Sequence, residues 1–274
     1  MTKKHDIIWL DNVDSTNTEA ARRISDIDNL SVLSARKQTA GRGQRGNGWS
    51  SAEGQNLTFS IVLKYGDSPH TTPLRAIDQS AVNEVAALSV IDILSAYGID
   101  AKIKWPNDIY VANRKICGIL IENSIFGDRL ATSVVGIGLN VNQTEFDPSL
   151  PNPVSMALCG VCTDPENLLE EFMDIFKEYC TRYLNITGGL SRLRKLYLAQ
   201  MWKKDETARF TDYTELPSGH NEGPMAPVYA GHGTEGKEFS GIIRGLSDVG
   251  NLLVEDLSDG KVREFGFKEI GYIL

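Results

Sequence analysis

Apolar and polar positions fall in blocks whose period switches between two and about 3.6 residues. Residues 7–10, 31–35 and 57–63 are short apolar runs of strand length. Between the first two, Asp14-Ser15-Thr16-Asn17-Thr18-Glu19 opens a helix: Thr16 and Glu19 stand at capping-box spacing, and a weakly apolar stretch, 20–24, follows. Residues 36–56 carry five glycines and four basic residues, which predicts a mobile loop. Ile77, Ala81, Val85, Leu88 and Ile91 recur three or four apart and mark a long core helix beginning near Pro73. Across 101–140 the texture becomes β-branched runs at 101–104, 109–111, 116–121 and 132–139. Their connections are too short for helical crossovers, so this sheet is antiparallel at least in part. Asp164-Pro165 then supplies a cap and a first-turn proline, with Leu169, Phe172, Phe176, Tyr179 and Tyr183 on one face. A further helix covers about 190–202. Residues 211–236, with Pro217, Pro224, Pro227 and five glycines, read as loop. Asp259-Gly260 marks a hairpin, and Phe265, Phe267, Ile270, Tyr272 and Leu274 alternate as a half-buried strand does. The prediction is an α+β domain, residues 1–205, followed by a small β-barrel, residues 206–274.

Composition narrows the classes of function. The chain has 274 residues, 41% hydrophobic and 23% charged, enough apolar material for a core and too regular for disorder. No apolar run approaches the ~18 residues that span a bilayer, and the N-terminal apolar stretch is too short for a signal peptide. With 28 Lys and Arg against 36 Asp and Glu, the net charge of −8 argues against a general nucleic-acid binder and leaves room for a local anion pocket. Four cysteines without framework spacing fit a reducing, cytoplasmic setting.

Three segments could carry chemistry. Gly41, Gly43 and Gly46 in Gln38-Thr-Ala-Gly-Arg42-Gly-Gln44-Arg45-Gly-Asn-Gly-Trp49 satisfy G-x-G-x-x-G. A dinucleotide fold is excluded, because that motif needs a helix directly after it and Asn47–Ser51 opens none. Glycine N–H groups and the forks of Arg42 and Arg45 suit phosphate oxygens, and a solvated surface loop explains the composition equally well. In the second segment, Lys104-Trp105-Pro106-Asn107-Asp108, a tight turn near Ala112-Asn113 brings Lys104, Asp108 and Lys115 to one region of a sheet. An ordinary hairpin with charged edges has the same pattern. The third, Gly136-Ile-Gly138-Leu-Asn140, weakens a strand unless something approaches its backbone: a flat ring such as adenine, a bulge or a neighbouring helix. Cys159-x-x-Cys162 has no second pair nearby, and His5, His70, His220 and His232 are scattered, so no protein-held metal and no histidine triad is expected.

In this order, Asp14-Ser15-Thr16-Asn17, Gln38 to Gly46 with Trp49, Lys104-Trp-Pro-Asn-Asp108, Arg114-Lys115-Ile-Cys-Gly118-Ile-Leu-Ile-Glu122 and Gly136-Ile-Gly-Leu-Asn140 resemble the motifs of biotin protein ligases. The similarity spans about residues 7–205, and the strand-rich tail resembles that family's small SH3-like C-terminal barrel. The resemblance implies a mixed, largely antiparallel sheet packed with helices and a two-step reaction. Biotin and MgATP give biotinyl-5′-AMP and pyrophosphate. A lysine of a biotin carboxyl carrier domain then takes the biotinyl group and releases AMP. It assigns the chemistry to Arg42, Lys104 and Lys115, with Arg45 beside them, and position alone adds Asp108 as the group that assists deprotonation of the acceptor lysine. Ser15, Thr16, Asn17, Gln38, Gly41, Arg42, Gly43, Lys115 and Gly118 are assigned to biotin. Arg42, Arg45, Trp49, Lys104, Asn107 and Asn140 are assigned to the nucleotide, with Asn140 reading adenine.

The nearest rivals are a lipoate or octanoate protein ligase, which shares the catalytic fold, and a non-catalytic biotin or nucleotide sensor. Two departures stand out. Many loops of the family read Gly-Arg-Gly-Arg-Arg-Gly, whereas the second basic position here is Gln44, one cation fewer at the adenylate. The signature also begins at Asp14, leaving no room for the N-terminal DNA-binding domain of some members, so no repressor role and no nucleic-acid partner is expected, and the short apolar runs give no reason to expect a membrane partner. Both a monomer and a homodimer are compatible with the pattern.

Overall fold

The computed structural model describes residues 4–66, 73–214 and 236–273, with Arg45 described by its backbone alone. The expected loop at 211–236 lies almost wholly outside these residues, as do His70, His220, His232 and Leu274. The chain forms two compact units. One comprises Met1–Ile103 and Asn107–Gln200; the other comprises Lys104–Pro106 and Met201–Leu274. The break therefore follows Gln200 rather than residue 205, and three mid-chain residues belong to the second unit.

The first unit is built on β1 (Ile7–Val13), β2 (Val32–Gln38), β3 (Leu57–Lys64), β4 (Lys102–Lys104), β5 (Asp108–Val111), β6 (Arg114–Phe126) and β7 (Arg129–Leu139). They run in the order β1-β2-β3-β7-β6-β5-β4. β1 and β2 are parallel, joined through α1 (Thr16–Arg22), while the β2–β3, β3–β7, β7–β6 and β6–β5 pairs are antiparallel. The sheet is thus mixed and largely antiparallel. Opposed residues in antiparallel strands share a face. The register therefore sets three rows on one face: Thr58, Gly138, Gly118 and Asp108; Ser60, Gly136 and Leu120; Val62, Val134 and Glu122. α1 covers the third row, where Ala20, Ile27, Leu33, Val62 and Val134 form an apolar cluster. On the opposite face Phe59 meets Phe172 edge-on, 5.3 Å between centroids. That face is covered by α2 (Ser80–Ala96) and α3 (Pro165–Tyr179), and α4 (Gly189–Ala199) packs on α2. β3 is buried on both faces for this reason.

Several expected elements shift. The capping box does not form: Ser15 is the N-cap without a side-chain bond, and Thr16 turns its hydroxyl to Gln38 while Arg22 and Arg23 take Glu19. α1 also ends at Arg22. The core helix starts at Ser80, not near Pro73, because Leu74, Arg75 and Ala76 pair with the β6–β7 turn. Ile77 consequently stands 56% exposed in a single 3-10 turn. Asp164 caps α3 by accepting from Glu166 N at 2.9 Å, with Pro165 first in the helix. A π turn at Cys180–Leu184 then rotates the chain, burying Cys180 and Leu184 and leaving Tyr179 and Tyr183 half-buried against each other. α4 stops at Ala199, short of 202.

The second unit holds β8 (Thr207–Asp212), β9 (Lys237–Leu246), β10 (Leu252–Asp256), β11 (Val262–Phe265) and β12 (Ile270–Ile273), antiparallel in the order β11-β10-β9-β8-β12. Among the described residues this is a five-stranded sheet, and no pairing there joins β11 to β12 to close it into a barrel. Phe210, Phe239, Phe265 and Tyr272 pack on one another, and Asp259-Gly260 lies in the β10–β11 hairpin. Phe267 falls beyond β11, where the expected alternation breaks. It packs on Trp105, whose indole donates to Gly250 O at 3.1 Å. No helix among the described residues is long and apolar enough to cross a membrane.

Candidate active site

The front face of β6 and β7 is stripped of side chains at Gly118, Gly136 and Gly138, and two side chains from other segments fill the space. A Cβ on Gly136 would lie 2.2 Å from Asn17 Oδ1, and one on Gly138 would lie 2.3 Å from Trp49 Cε2. Of the three reasons for glycine here, the neighbouring helix holds at Gly136, since Asn17 belongs to α1. At Gly138 the flat ring is the Trp49 indole itself. Trp49 is held because the glycine-rich segment is folded: Trp49 N donates to Gly41 O at 2.9 Å and Gly43 N to Asn47 O at 2.7 Å. A Cβ on Gly41 would meet Trp49 O at 2.3 Å.

One wall comes from the start of α1. Thr16 N donates to Gln38 Oε1 at 2.8 Å, and the Ser60 hydroxyl lies 2.8 Å from Thr16 Oγ1 and 2.6 Å from Asn17 Oδ1. Asn17 Nδ2 donates to Glu122 Oε2 at 2.9 Å and to Leu120 O at 3.2 Å. Asn107 Nδ2 donates to Ile119 O, which fixes the β5 side. Two cations join this frame. Lys115 Nζ lies 2.7 Å from Asp108 Oδ1 and 5.7 Å from the Trp49 ring centroid. Arg42 pairs with Glu122 through Nη2 and Oε2.

Ser15, Thr16, Asn17, Gln38, Arg42, Gly43, Trp49, Asn107, Lys115 and Gly118 line one cavity of about 450 Å³, its open mouth included. Asp108 reaches it through Lys115, and Gly41 stands behind Trp49. Lys104 and Asn140 do not line it. The Lys104 ammonium lies over the Trp202 and Tyr272 rings, at 5.9 and 5.1 Å. Asn140 spends its amide on Val154 O at 2.9 Å, tying the chain after β7 to the 154–156 segment. The Arg45 side chain lies outside the described residues. Ser60, Glu122 and Gln44 complete the site without having been singled out as site residues. Polar residues at alternate positions of an apolar run, Thr58 and Ser60 within 57–63, were the available signal for the first. Among the described residues neither Trp49 Nε1 nor Gln44 Oε1 meets a hydrogen-bond partner. The cavity thus offers an unmet donor, an unmet acceptor, an amide-and-hydroxyl wall and two cations. Among the described residues no group of three or more His, Cys, Asp and Glu is placed to hold a metal ion.

The model of the biotin/lipoate A/B protein ligase family matches residues 9–140. Over 260 residues the chain is 30% identical to the bifunctional ligase/repressor BirA of Salmonella typhimurium, covering 94% of this chain and 71% of that protein. The chain belongs to the biotin/lipoate A/B protein ligase family. A second relative in this family is a biotin–[acetyl-CoA-carboxylase] ligase of Paracoccus denitrificans, 29% identical over 88% of this chain and 90% of that one. The biotin protein ligase of Aquifex aeolicus in complex with biotin and ATP shares the fold, with TM-score 0.70 and 25% identity over 98% of this chain and 99% of that chain.

Proposed function

We propose that this chain ligates biotin to a lysine of a biotin carboxyl carrier protein, consuming ATP through biotinyl-5′-AMP and releasing pyrophosphate and then AMP. The observation that carries this reading is the convergence of Arg42 and Lys115, distant in sequence, on one cavity walled by Thr16, Asn17 and Gln38. An amide-and-hydroxyl wall suits a neutral ureido ring, and the cations suit the carboxylate and the α-phosphate. A carboxylate is ionised at neutral pH, so the first step needs no base. Its oxygen attacks the α-phosphorus as the bond to pyrophosphate breaks, and Arg42 and Lys115 stabilise the charge that develops. Magnesium enters with ATP as part of the substrate.

Each charge-assisted contact contributes about 1.5–3 kcal/mol, so loss of one slows adenylation by roughly one to two decades. The acceptor lysine must shed a proton before it attacks the mixed anhydride, and Asp108, beside Lys115, is positioned to assist. If it does, Asp108→Ala transfers biotin from preformed biotinyl-AMP more slowly than wild type; an unchanged rate removes Asp108 from the second step. The functional reading is tested by pyrophosphate release that requires both biotin and ATP, with mass spectrometry of the modified carrier lysine. A lipoyl or octanoyl adduct, or no release, overturns it.

A further inference from the structure

Glu122 lies on the front face of β6, one strand row beyond the glycine floor, and a single carboxylate oxygen serves two residues. Oε2 accepts from Asn17 Nδ2 at 2.9 Å and pairs with Arg42 Nη2. At the other end of the Asn17 amide, Oδ1 faces the Ser60 hydroxyl at 2.6 Å. Asn17 is 3% exposed, so its amide cannot exchange these partners for water, and Glu122 helps decide which way it points. Arg42 and Glu122 differ from Asn17 in being open to solvent, at 43% and 44% side-chain exposure. An ion pair that exposed is held by no more than about 1 kcal/mol, which a competing phosphate readily overcomes. The second cation repeats the arrangement, since Lys115 is held by Asp108. Among the described residues, each of the two cations facing the cavity, Arg42 and Lys115, is therefore matched by a carboxylate of the chain itself. Arg42, Asn17 and Glu122 also line a second cleft, of about 770 Å³ with its open mouth included, so the pair stands where the two hollows adjoin.

We propose that Glu122 is a positioning residue shared by two subsites: it fixes the direction of the Asn17 amide and is the counter-ion that phosphate must displace from Arg42. The Asn17 half rests on the functional reading above, because only there does Asn17 face biotin. The Arg42 half needs only that the cavity binds an anion. The two halves separate by chemistry. A glutamine at 122 keeps an acceptor for Asn17 and loses the charge on Arg42; an alanine loses both.

The experiment is calorimetric titration of the full chain with inorganic pyrophosphate and, separately, with biotin. Glu122→Gln should bind pyrophosphate about two- to fivefold more tightly than wild type, since the competing pair is worth under about 1 kcal/mol. In an Arg42→Ala background the same substitution should leave pyrophosphate affinity unchanged. Glu122→Ala should tighten pyrophosphate similarly and weaken biotin about tenfold, by loss of one hydrogen bond to a charged group, with Glu122→Gln restoring biotin affinity. Unchanged or weaker pyrophosphate binding in Glu122→Gln overturns the counter-ion role, as does equal tightening with and without Arg42. Equal loss of biotin affinity in the glutamine and alanine variants overturns the Asn17 role. A wild-type chain that binds no biotin defeats the functional reading and the Asn17 role with it, and leaves the pyrophosphate cycle to decide the role at Arg42.

Discussion

At Gly138 a single added carbon would sit 2.3 Å from the edge of the Trp49 indole, while at Gly118 it would sit 3.1 Å from the same ring and 3.3 Å from the ammonium of Lys115. The first contact pits backbone against a ring pinned through Gly41, so the indole must leave the floor; the second is relieved when the ring and the Lys115 stem give by a few tenths of an ångström. Overpacking of this kind costs about 1–3 kcal/mol. Gly138→Ala should therefore lower biotin- and ATP-dependent pyrophosphate release at least about tenfold, and Gly118→Ala distinctly less; the reverse order would contradict the floor described here. Only part of this was legible in the sequence. The glycines announced that something approaches the strand, but Trp49 and Asn17 are distant in sequence and no local pattern names them. Ser60 and Glu122 were hidden for the same reason: their bonds to Asn17 span 43 and 105 residues.

Among the elements, strands were read well because period two and short turns are local properties, and helix starts were read less well where a neighbouring strand claimed the backbone. Pro73 looked like the start of a first turn, and instead Leu74 to Ala76 pair with the β6–β7 turn. The helices behind the sheet also carry a titration. Glu84 of α2 has a 3% exposed side chain and meets Arg194 of α4 at 2.6 Å. Burial outweighs the attraction of Arg194 and pushes its carboxyl up from 4.5 to about 7. Between those values the folded protein keeps a proton that the unfolded chain has released, so this group makes stability fall as pH rises. Relative to Glu84→Gln, the unfolding free energy of the wild type should drop by roughly 1–3 kcal/mol from pH 4.5 to 7.5. Urea midpoints at several pH values read this directly, and parallel curves for the two proteins would refute it. Asp174, whose carboxyl is held below its ordinary value by Lys4 and His5 against the effect of burial, acts at lower pH and cancels in the difference.

Across the whole molecule, the change of texture near residue 206 announced a second unit, yet not that Lys104–Pro106 would join it. That segment reads locally as part of a strand and its turn, and its partners come far later in the chain, with Trp105 bonded to Gly250 across 145 residues. The same connectivity places Lys104, expected in the catalytic set, over the rings of Trp202 and Tyr272, where it is 1% exposed. A chain ending at Gln200 would lose Trp202, Gly250, Phe267 and Tyr272 together, uncovering Lys104 and the 7% exposed Trp105 in the middle of what remains. Burial of one large aromatic side chain contributes about 1.5–3 kcal/mol, and each kcal/mol moves the melting temperature of a unit this size by about 2–4 °C. The truncated chain should then melt about 5–10 °C below the full chain when both are followed by near-ultraviolet circular dichroism. Equal melting temperatures would mean that Lys104–Pro106 draws its stability from the first unit, and the division at Gln200 would have to be redrawn.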